Sequence, residues 1–224
     1  APTAWEETNG TAVGTGVQTI TGVGGSTNIE WNVSADMLPD GVQLQLAWTP
    51  DSGGSGTNDK ASSGYSTGGQ GWDIVFQHSG MADGLNVFGG YSTIEQTAAQ
   101  AEGDRQQYAL GATYAAGSFT VGYEYTRDNQ QARGSGTSYY ENDMYGVTFA
   151  VNDDLSLSYG VMKSDKKSQD GAGAVETEAN SIQMAYSMGG ASLKIAETTV
   201  DNGTYTSTTA NDADGTTIML SLAF

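Results

Sequence analysis

From residue 28 onward the chain repeats one unit: about ten residues in which apolar and polar side chains alternate, followed by a polar connection. Successive side chains of an extended chain point to opposite faces, so alternation with period two predicts strands. Eleven segments carry it: NIEWNVSADM (28–37), VQLQLAWT (42–49), GWDIVFQHS (71–79), LNVFGGYSTI (85–94), RQQYALGATY (105–114), FTVGYEYTR (119–127), NDMYGVTFA (142–150), LSLSYGVMK (155–163), NSIQMAYS (180–187), ASLKIAETTV (191–200) and TTIMLSLAF (216–224). No stretch has the periodicity of an amphipathic helix. The connections LPDG, GMADG, AAGS, VNDD and MGG are short and suit tight hairpins, whereas those between them are long and polar. Regular alternation of short and long connections puts every tight turn at one end of a single antiparallel sheet.

The apolar phase is graded along each strand. Aliphatic residues occupy the middle and aromatic residues the ends. Trp31, Trp48, Trp72, Tyr91, Tyr108, Tyr125, Tyr145 and Tyr159 fall toward the long connections; Tyr114, Phe119, Phe149, Tyr186 and Phe224 fall toward the short turns. Two aromatic girdles flanking an aliphatic band are the lipid-facing pattern of a transmembrane barrel. The other phase is polar and includes Glu30, Asp36, Asp73, Arg105, Glu124 and Lys194. Alternation alone fits a soluble sandwich equally well, because it does not say which face meets water. The aromatic banding and the even strand length favour the membrane. The fold class expected is therefore all-β, an antiparallel up-and-down transmembrane β-barrel with 11 or 12 strands in this chain.

Composition narrows the function. Of 224 residues only 37% are apolar and 15% charged, with 32 Gly against 3 Pro, which leaves little for a packed core yet does not resemble a charged disordered chain. A net charge of -18, from 26 acidic and 8 basic residues, speaks against nucleic acid as a partner. Cysteine is absent, which removes disulfides and thiolate metal sites.

Ile218, Leu220, Leu222 and the final Phe224 resemble the closing strand by which Gram-negative outer-membrane barrels are recognised for assembly. The run from residue 28 to the end is similar to the last eleven strands of the trimeric general diffusion porins, which have about sixteen. The resemblance implies an outer-membrane location, contact with lipid and lipopolysaccharide, a homotrimer, and engagement of the barrel assembly machinery through the C-terminal strand. It divides the chain into residues 1–27, read as the end of an inward-folded constriction loop, and residues 28–224, the barrel strands. On this reading the chain belongs to a larger barrel. The competing reading takes TAVGTGVQTITGV (11–23) as a first strand, giving a self-contained barrel of twelve strands that acts as an adhesin or structural surface protein.

A diffusion pore needs no catalyst, only a polar lumen and charges at its constriction. Glu6 and Glu7 are the candidate acids on the inward loop; Glu30, Asp36, Asp73 and Glu124 add negative charge to the lumen, and Arg105 and Lys194 are candidate bases across from them. The excess of acid predicts a cation-preferring porin. Arg127 and Lys163 fall in the outward phase near the rim, where their stems snorkel. The acidic stretches SQDGAGAVETE and DNGTYTSTTANDADG offer oxygen ligands for Ca²⁺ without the spacing of a defined site, so no cofactor is expected. The sole histidine, His78, lies beside a short turn, and its neighbour Ser79 points to the opposite face of the strand, so the pair cannot act as base and nucleophile. The chain is not expected to be an enzyme.

Overall fold

The computed structural model describes residues 14–20, 22–23, 28–50, 68–96, 101–131, 137–168 and 174–222. They form one sheet of eleven strands, each antiparallel to the next in chain order. The strands are β1 (Ile29–Asn32), β2 (Val42–Thr49), β3 (Gly68–Ser79), β4 (Leu85–Gln96), β5 (Arg105–Ala116), β6 (Phe119–Asn129), β7 (Thr137–Ala150), β8 (Leu155–Ser168), β9 (Val175–Met188), β10 (Ala191–Asp201) and β11 (Ala213–Leu222). Among the described residues β1 and β11 each pair on one side only, so the sheet is not closed. No described helix is long and apolar enough to cross a membrane. The expected fold class holds: an up-and-down antiparallel barrel sheet, with every strand where the alternation placed it.

The boundaries differ in an orderly way. Strands β7, β8 and β9 each run about five residues further toward the long connections than the alternation indicates. In those extensions the outward phase becomes charged, so the contrast between the two faces vanishes while the backbone pairing continues. β1, by contrast, ends at Asn32, and residues 35–37 form a 3-10 turn that carries Asp36 out of the strand. Residues 14–20 are not a first strand; they pair with no strand and lie against the sheet's concave face.

That face is the polar one. Asn142, Ser164, Thr177 and Ser181 are fully buried, whereas Leu110, Ile182 and Ile218 on the other phase are 67%, 61% and 68% exposed. The usual arrangement of a soluble domain is inverted. Tight geometry requires glycine at two positions: in the short turn before β4, Gly84 has φ 75°, and a methyl there would meet the Ala115 carbonyl at 2.1 Å. Gly111 leaves room for the ring of its cross-strand partner Phe88, whose Cζ would lie 2.4 Å from an added Cβ. Gly111→Ala should therefore destabilise the fold by about 1–3 kcal/mol, read from the urea midpoint in lipid vesicles, and Phe88→Ala in the same chain should recover some of the loss.

The outward aromatics form two belts that descend obliquely across the hydrogen-bonded rows. Trp48 and Trp72 are direct partners, Tyr91 and Tyr108 lie one row lower, and Tyr125, Tyr145 and Tyr159 one further row each. Four rows over the six strand steps from β2 to β8 make a slope of about 43°, at ~3.4 Å per residue and ~4.8 Å between strands. On the short-turn side, Tyr114, Phe119, Phe149 and Tyr186 fall two rows over four strand steps, a slope of about 35°. Neighbours within the belts touch: Trp72 and Tyr91 at 5.3 Å, Tyr108 and Tyr125 at 6.4 Å, Phe119 and Phe149 at 4.6 Å between ring centroids. Strands of membrane barrels tilt by about 35–45°, so belts with these slopes lie level in the plane of a membrane. The slope also accounts for Glu197, which shares a row with Ile182 but lies one strand further along, on the polar side of the descending boundary.

Candidate functional site

The inner wall is built from the inward phase of every strand. Toward the long connections, a row formed by Glu124, Met144, Met162, Ala179 and Val200 is mostly apolar. The next row toward the short turns is small: Thr113, Gly122, Gly146, Gly160, Ser181 and Thr198. Beside it a concavity of about 190 Å³ opens on the inner face, lined by Thr113, Thr148, Ser158 and Gln183 around those glycines. Below the apolar row this stretch of the wall thus presents hydroxyls, an amide and bare backbone.

Residues 14–20 and 22–23 form a strap across this wall. Val17 packs with Met144, Met162, Ala179 and Val200. The Asn142 side-chain amide donates to the Gln18 carbonyl at 3.0 Å and to Thr126 Oγ1 at 2.8 Å. Gly22 N–H donates to Gln107 Oε1 at 2.8 Å, and Val23 N–H to both carboxylate oxygens of Asp73 at 3.1 and 2.8 Å. Val23 fills the space beside Gly71. The strap therefore runs from β10 back to β3, opposite to chain order, touching polar groups that the strands direct inward.

Of the expected lumen residues, Asp73 holds the strap. Glu30 accepts from the amides of Gln45 and, at 3.3 Å, Asn32 on the same face of β1 and β2. Glu124 is buried in the wall between Gly111 and Met144. Lys194 stands exposed on the inner face toward the short turns, between Ala185 and Met219. Asp36 lies in the turn after β1, where the Ser34 hydroxyl donates to its carboxylate and holds it below its ordinary pKa. Arg105 points inward as expected, but Asp128 takes its charge: Nε donates to Oδ1 at 2.8 Å and Nη2 to Oδ2 at 2.5 Å, with the side chains only 7% and 1% exposed. A pair this close presents little net charge to the lumen, so Arg105 is a structural cation. Glu6, Glu7 and Phe224 lie outside the described residues; Ile218, Leu220 and Leu222 share the outward face of β11.

Beyond the upper belt the outward face is charged. Lys163 bridges Glu178 at 2.8 Å, Lys167 bridges Glu141 and Asp165 at 3.2 and 3.3 Å, and Arg127 stacks 3.9 Å from the Tyr139 ring centroid. Here Arg127 and Lys163 reach partners on neighbouring strands. His78 sits on the outward face beside Val42 and Val87, near the short turns.

Sequence reading put Asp73 on the inner face but missed the strap's other anchors, Asn142 and Tyr205 among them. Tyr205, in the connection from β10 to β11, accepts from Gln18 N–H at 2.9 Å and lies 2.7 Å from Ser164 Oγ. Only Met144 and Met162 carried a legible signal, as large apolar residues in an otherwise polar phase.

No protein-family model matches the chain, and no curated protein matches it. Solved structures do. OmpF of Salmonella typhi, in complex with daunomycin, superposes with a TM-score of 0.67 over 87% of this chain at 13% identity. The fold is a porin-like β-barrel. OmpT, an outer membrane protein of Vibrio cholerae, superposes in its in-vitro folded form over 97% of this chain, with a TM-score of 0.56 and 13% identity. Its loop L8 deletion mutant gives 0.57 over 87% at 12% identity. The chain spans 61% of the length of the OmpF structure and 69% of that of in-vitro folded OmpT. In a barrel of this kind the exposed apolar phase faces lipid and the strap lies on the lumen side.

Proposed function

We propose that this chain forms the wall of a diffusion pore in the outer membrane of a Gram-negative bacterium, passing small hydrophilic solutes and ions, with cations preferred. The observation that carries this reading is the inverted sheet: a polar concave face crossed by an inward strap, behind an apolar convex face with two level aromatic belts. Such a wall suits a water-filled lumen and needs no catalytic group. The charged band beyond the upper belt lies at headgroup level, where lipopolysaccharide would meet it, and the outward row of β11 is the segment offered to the assembly machinery. We also propose a homotrimer.

Cation preference comes from the pore mouth. Strand residues of the inner face are nearly balanced, with Glu30, Asp73, Glu124 and Asp128 against Arg105, Lys166 and Lys194. The net -18 of the chain therefore resides mostly in the connections and the outer rim. A field from exposed carboxylates is screened over about 10 Å at 0.1 M salt and about 3 Å at 1 M. Reversal potentials of single channels in a planar bilayer should show cation preference in dilute salt that shrinks toward zero in 1 M salt. Silent bilayers would contradict the pore, and preference undiminished by salt would place the selecting charges at a narrow constriction instead.

A further inference from the structure

The connection between β10 and β11 contains the most strained backbone described. Asn202, Thr204 and Tyr205 all have left-handed φ, at 53, 57 and 58°, and only one other non-glycine residue among those described has a positive φ. For residues with a Cβ this conformation costs on the order of 1–3 kcal/mol each and persists only where surrounding contacts impose it. Those contacts are present. Asn202 N–H donates to Asp212 Oδ1 at 2.9 Å, its side-chain amide donates to the Glu176 carbonyl at 3.0 Å, and its own carbonyl accepts from Thr177 Oγ1 at 2.8 Å. Tyr205 N–H donates to the same Thr177 oxygen at 3.1 Å.

The strained turn sends the Tyr205 side chain inward. Its ring lies 5.2 Å from that of Tyr140, and Lys166 Nζ stands 5.9 Å from it. The hydroxyl lies between strap and wall, accepting from Gln18 N–H at 2.9 Å with Ser164 Oγ 2.7 Å away. The preceding residue completes the grip: Thr204 N–H donates to the Thr15 carbonyl at 3.2 Å, and Thr204 packs against Gly16. Burial pushes the phenol up to about 12, so it keeps its proton at any physiological pH and can accept and donate together.

We propose that the β10–β11 connection is a latch on the strap, with Tyr205 as the residue that fixes how far the strap stands from the inner wall and so sets the free cross-section of the lumen. The inference rests on the pore reading for its consequence, though the latch itself is a matter of structure. The strap has two holds at its ends, Val23 on Asp73 and the Thr15 to Gln18 stretch on the latch. Only the second is supplied by an extracellular-side connection, so a change in that connection is transmitted directly to the lumen.

Two measurements on the whole protein in lipid vesicles and bilayers test it. Tyr205→Phe keeps the ring and its contact with Tyr140 but removes the acceptor for Gln18 N–H. Backbone hydrogen exchange of residues 14–23 should become about fivefold to tenfold faster, the effect expected of one lost hydrogen bond, while exchange in β8 and β9 stays unchanged. Open-channel current should become noisier, with a broader distribution of conductances. Tyr205→Ala should give the same pattern more strongly. Unchanged strap exchange in both variants would overturn the latch, as would an increase shared equally by the strands, which would make Tyr205 an ordinary packing residue. If neither the parent protein nor the variants conduct, the pore reading fails, and the exchange data still decide the latch.

Discussion

Replacing Met184 by Arg should nearly abolish assembly into the membrane, while the same change at its neighbour Gln183 should leave assembly intact. Met184 lies on the convex face between Leu157 and Ile195, one row from Tyr186 of the lower belt, and Gln183 lines the inner concavity. An Arg facing hydrocarbon near the bilayer midplane costs about 2–4 kcal/mol in membrane barrels, whereas an Arg in the lumen remains hydrated. If the convex face met water, the order would reverse: Met184→Arg would be harmless and Gln183→Arg would place a charge in a core. The yield of folded, heat-modifiable protein in membranes reads the difference. Gln183→Arg should in addition reduce the cation preference of the channel, since it adds a positive charge to a wall whose charges are nearly balanced.

The second large effect is expected at the buried ion pair. Asp128→Ala leaves the Arg105 guanidinium enclosed without its bidentate partner, a loss of about 3–5 kcal/mol for breaking a buried pair from one side. Arg105 is 6% exposed and Asp128 1%, so water does little to compensate. Replacing both by apolar residues of similar size, Arg105→Met with Asp128→Leu, should restore most of the stability. Equilibrium unfolding in urea, in lipid vesicles, measures each form. If Asp128→Ala were as stable as the parent, the pair would be solvated in the lumen and Arg105 would rejoin the charges that shape the field there.

Much of the architecture was legible because the two faces of each strand differ in chemistry wherever the outward face meets lipid. That contrast located the eleven strands and both aromatic belts. Its limits are physical too. In β7 to β9 the outward residues Glu141, Asp165 and Glu176 are as polar as their inward neighbours, so pairing that continues beyond the belt leaves no trace in the alternation. Asp36 follows the alternation of β1 but belongs to a turn, because backbone pairing with β2 had already ended at Asn32.

The strap was harder to read. Residues 14–20 alternate weakly, as an edge strand does, yet what fixes the strap of residues 14–20 and 22–23 is a set of partners between about 50 and 190 positions away, at Asp73, Gln107, Asn142 and Tyr205. Only register brings those groups together, and register is not written in local pattern. Arg105 shows the same limit: its inward direction followed from the phase, but its neutralisation depends on the row that sets Gln107 opposite Asp128.

The central claim is that the apolar convex face meets lipid, and intrinsic tryptophan fluorescence tests it most directly. Trp31, Trp48 and Trp72 all lie on that face, 52%, 42% and 45% exposed, and Trp5 is the only other tryptophan in the chain. In vesicles of lipids brominated on the acyl chains most of the emission should be quenched, and iodide in the aqueous phase should quench little of it. Strong quenching by iodide, with emission indifferent to brominated lipid, would mean that the face meets water and that the barrel reading is wrong.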